Sequence, residues 1–205
     1  MDEKKAGRVA VLLSGRGSNF QALYRDSLAI DSNYRIVLVV SDNADAPGLS
    51  FAREYGLQTL LLEPGAFPDR RSFNQRLLGE LAAVNTELIC LAGFMRILGR
   101  RVVDTYADRI LNIHPALLPA FPGLHAQRQA LDYGVKYSGC TVHFVDRGMD
   151  SGPIVLQQCV EVFDNDDEDS LSRRILEQEH RLFPRAVRLF FAGSLALDGR
   201  RVRIR

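Results

Sequence analysis

A chain of 205 residues, 46% of them apolar, is long enough to bury the core of one α/β domain, and a single domain over 1–205 is the expectation. Its 26 lysines and arginines against 25 aspartates and glutamates leave a net charge of +1, so no general attraction to polyanions is built in. With aromatics at 8% and no tryptophan, nucleic acid is an unlikely partner on composition alone.

The charged start, MDEKKAGR, is followed by a short apolar run, Val9–Leu13. That run is too short for a secretory signal or a membrane span, which predicts a cytoplasmic chain with no membrane partner. Val9–Leu13, Ile36–Val40, Thr59–Leu62, Leu88–Leu91 and Ile110–Ile113 are apolar runs bounded by turn residues and predict buried strands. Between them, Asn19–Leu28, Pro47–Tyr55, Ser72–Val84 and a short stretch around Gly99–Tyr106 predict helices. This alternation implies a Rossmann-like, mostly parallel twisted α/β sheet with helices on both faces. Ligands of such sheets bind beyond the carboxyl ends of the strands. The loop after Val9–Leu13, the segment Gly93–Met95 and the pair Asn112/His114 all fall at such ends.

The rhythm changes after Gly123. Leu124–Tyr133 predicts a helix, while Gly139–Val145 and Pro153–Val162 predict C-terminal antiparallel strands joined by the loop Asp146–Gly152. The acidic run DNDDED, Asp164–Asp169, lacks the glycine and distal glutamate of a calcium loop. It precedes a helix-period segment and is expected as a solvated helix start, favoured by the dipole; no metal is predicted. Pro184 falls inside that helix and predicts a kink just beyond Glu179. Leu195–Ile204 predicts a hairpin turning on Asp198-Gly199, with the alternating basic run Arg200–Arg205 as an edge strand. Cys90, Cys140 and Cys159 stand singly in apolar segments, which predicts three buried thiols and no disulfide.

Two motifs carry chemistry. Gly15-Arg16-Gly17-Ser18-Asn19 links a strand to a helix, and amides at a helix start beside glycines make an anion cradle. A dinucleotide fingerprint is the rival reading, kept alive by Asp42 near the end of the second strand. Phe20 breaks the fingerprint at its third glycine position, so a single phosphate suits the loop better. The second motif is Asn112-x-His114 with the distant Asp150. Asn112 and His114 share a strand face because side chains alternate along a strand, and two polar groups at the end of an apolar strand are costly unless they serve a site. An amide to bond an oxyanion, an imidazole to move a proton and a carboxylate to orient it form a kit for acyl transfer. His143, which alternates with apolar residues, and His125, after the PGL turn, are weaker candidates.

The stretches LLSGRGSN at Leu12–Asn19, LAGFMRIL at Leu91–Leu98, LNIHPALLPAFPGLHAQRQAL at Leu111–Leu131, His143–Gln157 and Gln178–His180 resemble the folate-dependent formyltransferases. The Ser14–Asn19 loop and Pro122–His125 narrow the resemblance to the phosphoribosylglycinamide formyltransferase branch. It implies formyl transfer from 10-formyltetrahydrofolate to the amine of 5-phosphoribosylglycinamide in de novo purine synthesis. The catalytic set would be Asn112, His114 and Asp150, with His114 protonated and no metal required. Gly17, Ser18, Asn19 and Glu179 would hold the phosphoribosylglycinamide. Arg70, Met95, Arg96, Ile97, Leu98, Asn112, Asp146, Arg147, Gly148 and Met149 would receive the folate. The partners implied are small molecules only, acting on a monomer or homodimer. Another formyltransferase or a formyl-folate hydrolase would share the Asn/His/Asp core and is the alternative, ahead of a non-catalytic nucleotide-binding module. Pro115, Pro119 and Pro122 crowd one short turn, and together with the resemblance they predict a cis Leu118–Pro119 bond, against a base rate of about 5–6% for X–Pro bonds.

Overall fold

The computed structural model describes residues 6–205, so most of the charged start lies outside the described residues. The chain forms two compact units, the first ending at Leu111 and the second running Asn112–Arg205.

In the first unit β1 (Gly7–Leu13) lies between β2 (Tyr34–Ser41) and β4 (Leu88–Leu91), parallel to both. β3 (Thr59–Leu61) adds in parallel outside β2. The helices α1 (Ser18–Ser27), α2 (Pro47–Glu54), α3 (Arg70–Ala83) and α4 (Arg100–Thr105) alternate with these strands. Every residue of Val9–Leu13 is fully buried, which is why a central parallel strand shows an unbroken apolar run rather than alternation. Each predicted element in this unit is present, with ends shifted by a residue or two.

β5 (Ile110–His114) starts in the first unit beside β4 and ends in the second. The second unit continues through α5 (Ala126–Tyr133), β6 (Tyr137–Phe144), β7 (Ile154–Glu161), α6 (Glu168–Phe191), β8 (Leu195–Asp198) and β9 (Arg201–Ile204). β6 and β7 pair antiparallel, as do β8 and β9, so the sheet is mixed at its C-terminal end. α6 is held by its apolar side, including Leu171, Ile175, Phe183 and Val187. Its N-cap is a capping box: Asp167 accepts from the Ser170 amide at 2.7 Å, and Ser170 Oγ accepts from the Asp167 amide at 3.0 Å. Asp166 pairs with the Arg174 guanidinium, which lies 4.3 Å over the Phe163 ring. The acidic run is thus a helix start. α6 continues through Pro184 without ending there, and no membrane-spanning helix, by length and apolarity, occurs among the described residues.

Three expectations are corrected. β9 is not an edge strand: it pairs with β8 and, at Ile154–Arg201, with β7, leaving β8 outermost. The hairpin returns on its inner side, and a charge alternation cannot say which of two hairpin strands lies outside. The turn itself is Gly199-Arg200, since Asp198 and Arg201 still pair. Cys90 and Cys140 are buried but Cys159 is exposed, because it sits on the open face of β7, next to the buried Val160. The predicted cis bond at Leu118–Pro119 is present.

Candidate functional site

The second unit gathers three polar side chains, Asn112, His114 and His143, around Asp150. Asn112 and His114 come from the last residues of β5, two apart and so on one face. Asp150 comes from the loop between β6 and β7, with φ of 48°, a left-handed conformation that an aspartate tolerates better than most residues. Its Oδ2 accepts from the Gly123 amide at 2.8 Å and faces His114 Nδ1 at 3.5 Å. The Asn112 amide nitrogen donates to Asp150 Oδ1 at 3.5 Å and to His143 Nε2 at 3.2 Å. His114 and His143 are both buried.

The two imidazoles are set differently. His143 Nδ1 donates to its neighbour's carbonyl, Phe144 O, at 2.8 Å, so its Nε2 is free to accept from Asn112 when the ring is neutral. His114 Nε2 donates to Phe121 O at 2.8 Å, leaving Nδ1 as the nitrogen that faces Asp150. Burial pulls the His114 imidazole below its ordinary pKa; the Phe121 carbonyl and the Asp150 carboxylate oppose this without cancelling it. Burial works to raise Asp150, but the neighbouring His143, the bond from the Gly123 amide and the imidazole of His114 leave it lower than an ordinary carboxylate. The result is an ionised acid beside an imidazole that rests neutral.

Sequence reasoning placed His143 behind its neighbours and overlooked the backbone of Phe121 and Gly123. The register of β6 against β7 shifts between Val142 and His143. The extra residue there, Val155, lies on β7, and because β6 is buried on both faces, alternation with apolar neighbours does not say which face lines the site. Phe121 and Gly123 contribute a carbonyl and an amide, which any residue type supplies, so composition carries no sign of them. Their signal was the PGL turn: Phe121 has φ of 53° and Gly123 of 83°, and this strained path turns one group to His114 and the other to Asp150. His125 is exposed and caps α5 without a side-chain bond. Glu179 is buried on α6, and with burial it helps push the Cys140 thiol up to about 12. In the loop 146–149, Asp146 Oδ1 accepts from the Gly148 amide at 2.9 Å and the Ser151 hydroxyl at 2.7 Å, while Met149 stays exposed. Arg147 belongs to the same loop.

The first unit carries the other predicted residues. Gly17 caps α1 with φ of 72°, and no side chain caps that N-terminus and no acidic residue lies in its first turn. A Cβ on Gly17 would come 2.8 Å from Gly48 Cα, so the glycine is needed for the loop to pack on the start of α2. Ser18 opens the helix and Asn19 is buried behind it. The segment Met95–Leu98 has no regular structure; Met95 and Ile97 are exposed whereas Leu98 is core. Arg70 does not extend freely: its guanidinium donates to Ile97 O at 2.7 Å and Leu98 O at 3.2 Å. Asp42, the residue that kept a dinucleotide in view, is committed to Arg96 Nε at 2.6 Å.

A family model described as formyl transferase matches residues 7–187. The trifunctional purine biosynthetic protein adenosine-3 of Drosophila melanogaster is 46% identical over 97% of this chain, which spans only 15% of that protein's length. The phosphoribosylglycinamide formyltransferase of Escherichia coli is 41% identical, with 95% of each chain covered. The crystal structure of glycinamide ribonucleotide transformylase 1 from Symbiobacterium toebii superposes with a TM-score of 0.95 at 49% identity, covering 99% of this chain and 95% of that one.

Proposed function

Because the chain belongs to the formyl transferase family, we propose that it transfers a formyl group from 10-formyltetrahydrofolate to the amine of 5-phosphoribosylglycinamide, a step of de novo purine synthesis. It does so as one formyltransferase domain over 1–205, in the cytoplasm, as a monomer or homodimer. The observation that carries this reading is the Asn112–His114–Asp150 cluster, in which an ionised carboxylate faces the one imidazole nitrogen not taken by the backbone.

The amine nitrogen bonds to the formyl carbon, and the carbonyl electron pair moves onto oxygen. The Asn112 amide donates to that oxygen; its 3.5 Å contact with Asp150 is long and readily exchanged. The attacking nitrogen then loses a proton, and the leaving tetrahydrofolate nitrogen gains one as the carbon–nitrogen bond breaks. His114 enters neutral and takes up the proton at Nδ1, and Asp150 stabilises the imidazolium so formed. No metal takes part in these steps. The start of α1 at Gly17–Asn19, where a glycine holds the N-cap position, suits the substrate phosphate, and Glu179 its amine end. Met95 and Ile97, and Met149 in the loop 146–149, are exposed apolar side chains suited to the folate.

The test is a direct assay with both substrates. Stoichiometric formation of formylglycinamide ribonucleotide and tetrahydrofolate is expected. Release of formate without formylated product would identify a hydrolase instead.

A further inference from the structure

The four consecutive residues Met95–Leu98, with Gly99 after them, lie outside any helix or strand, yet each is tied to a polar side chain from elsewhere in the first unit. The Met95 amide donates to Ser14 Oγ at 2.9 Å. Arg96 Nε donates to Asp42 Oδ2 at 2.6 Å. Arg70 holds the carbonyls of Ile97 and Leu98, and the Gly99 amide donates to Asn74 Oδ1 at 2.9 Å. Without such bonds an irregular segment samples many backbone states, and ordering each residue costs about 1–2 kcal/mol.

Of these ties, the one through Asp42 is distinctive. Its side chain is 9% exposed while that of Arg96 is 47% exposed, so the acid is anchored in the first unit and reaches out to a basic group on the segment. An ion pair with one buried partner is less screened than a surface pair and holds its geometry better. Asp42 stands at the end of β2, the place where a doubly wound fold commonly offers a carboxylate to a ribose. In this chain that carboxylate is turned to Arg96.

We propose that Asp42 is a positioning residue for the folate: through Arg96 it fixes the segment that presents Met95 and Ile97, and so sets the affinity for the folate without touching the chemistry. This rests on the assignment of Met95–Leu98 to the folate. Preformed order in the segment removes an entropy cost that binding would otherwise bear.

The test uses Asp42→Asn, Arg96→Gln and the double variant of the full chain. Asp42→Asn should raise KM for 10-formyltetrahydrofolate about tenfold, equivalent to about 1.4 kcal/mol. Its kcat and its KM for phosphoribosylglycinamide should stay within about twofold. The double variant should be no worse than Arg96→Gln alone, since Asp42 acts through Arg96. Hydrogen exchange of the Met95–Gly99 amides should speed up in Asp42→Asn at unchanged melting temperature. An unchanged folate KM in a protein that does transfer formyl groups, or effects of the two changes that simply add, would overturn the proposal. Failure of the wild-type chain to bind tetrahydrofolate would sink the folate assignment instead, and the exchange measurement would then separate the two: unchanged exchange in Asp42→Asn refutes the clamp itself.

Discussion

The residues around Asp150 and the segment Met95–Leu98 are held in opposite ways. Around Asp150, two buried imidazoles and the half-buried Asn112 and Asp150 are bonded to one another and to the backbone of Phe121, Gly123 and Phe144. In Met95–Leu98 the anchoring bonds come from behind, from Ser14, Asp42 and Arg70, and two apolar side chains are left facing solvent. Chemistry needs preorganised dipoles and shifted pKa values in a dry place; binding needs apolar faces on a backbone that does not move. The proposed function divides those tasks between the two regions.

The largest effect is expected at the carboxylate. Asp150→Asn keeps the size and the bond from Gly123 but removes the charge facing His114, and kcat should drop on the order of 10³-fold or more. Substrate KM values should change little, and a variant with near-normal kcat would remove the proton-transfer role assigned to this acid. Asn112→Ala deletes an oxyanion donor and should lower kcat roughly 10²–10³-fold with the fold intact by circular dichroism. A change confined to KM would place Asn112 with the binding residues and blur the division. On the other side, Met95→Ala with Ile97→Ala should leave kcat alone and raise the folate KM roughly 30-fold, about 1 kcal/mol for each side chain. A fall in kcat of similar size would show that the segment takes part in the chemistry.

The smallest effect is on stability against pH. His114 has its folded pKa lowered by burial, so the unfolded chain binds the extra proton more readily. The corresponding stability is present above pH about 6.5, the unfolded value, and is lost as pH falls towards the lower folded value. Thermal melts between neutral and mildly acid pH should show this decline in the wild type and a shallower one in His114→Asn. Equal slopes would mean that the folded imidazole is not shifted below its ordinary value, and formyl transfer would then decline already near pH about 6.5 instead of at the lower folded value.

Legibility followed how local the cause was. Buried strands such as Val9–Leu13 and Leu88–Leu91 announce themselves, because covering both faces demands an unbroken apolar run. The pair Asn112/His114 could be read as polar groups sharing a face at a strand end, and the acidic run as a helix start, because dipole and capping chemistry act over one turn. What escaped depended on partners far along the chain. His143 lies on β6, a strand buried on both faces, where alternation cannot tell a site residue from a core residue. Phe121 and Gly123 act through backbone groups that carry no residue signature.

By itself the sequence determined the order and type of the elements, the candidate amide, imidazole and carboxylate that the fold brings together, and, with the family resemblance, the cis bond at Pro119. Only the tertiary structure decided that β9 lies inside β8, that Cys159 is exposed, that Asp42 is paired with Arg96, and that His114 rests neutral with Nδ1 towards Asp150. The reason is physical: periodicity and capping are short-range properties written in neighbouring residues, whereas strand order, ion pairs and the dielectric around an imidazole are set by groups that meet only once the chain has folded.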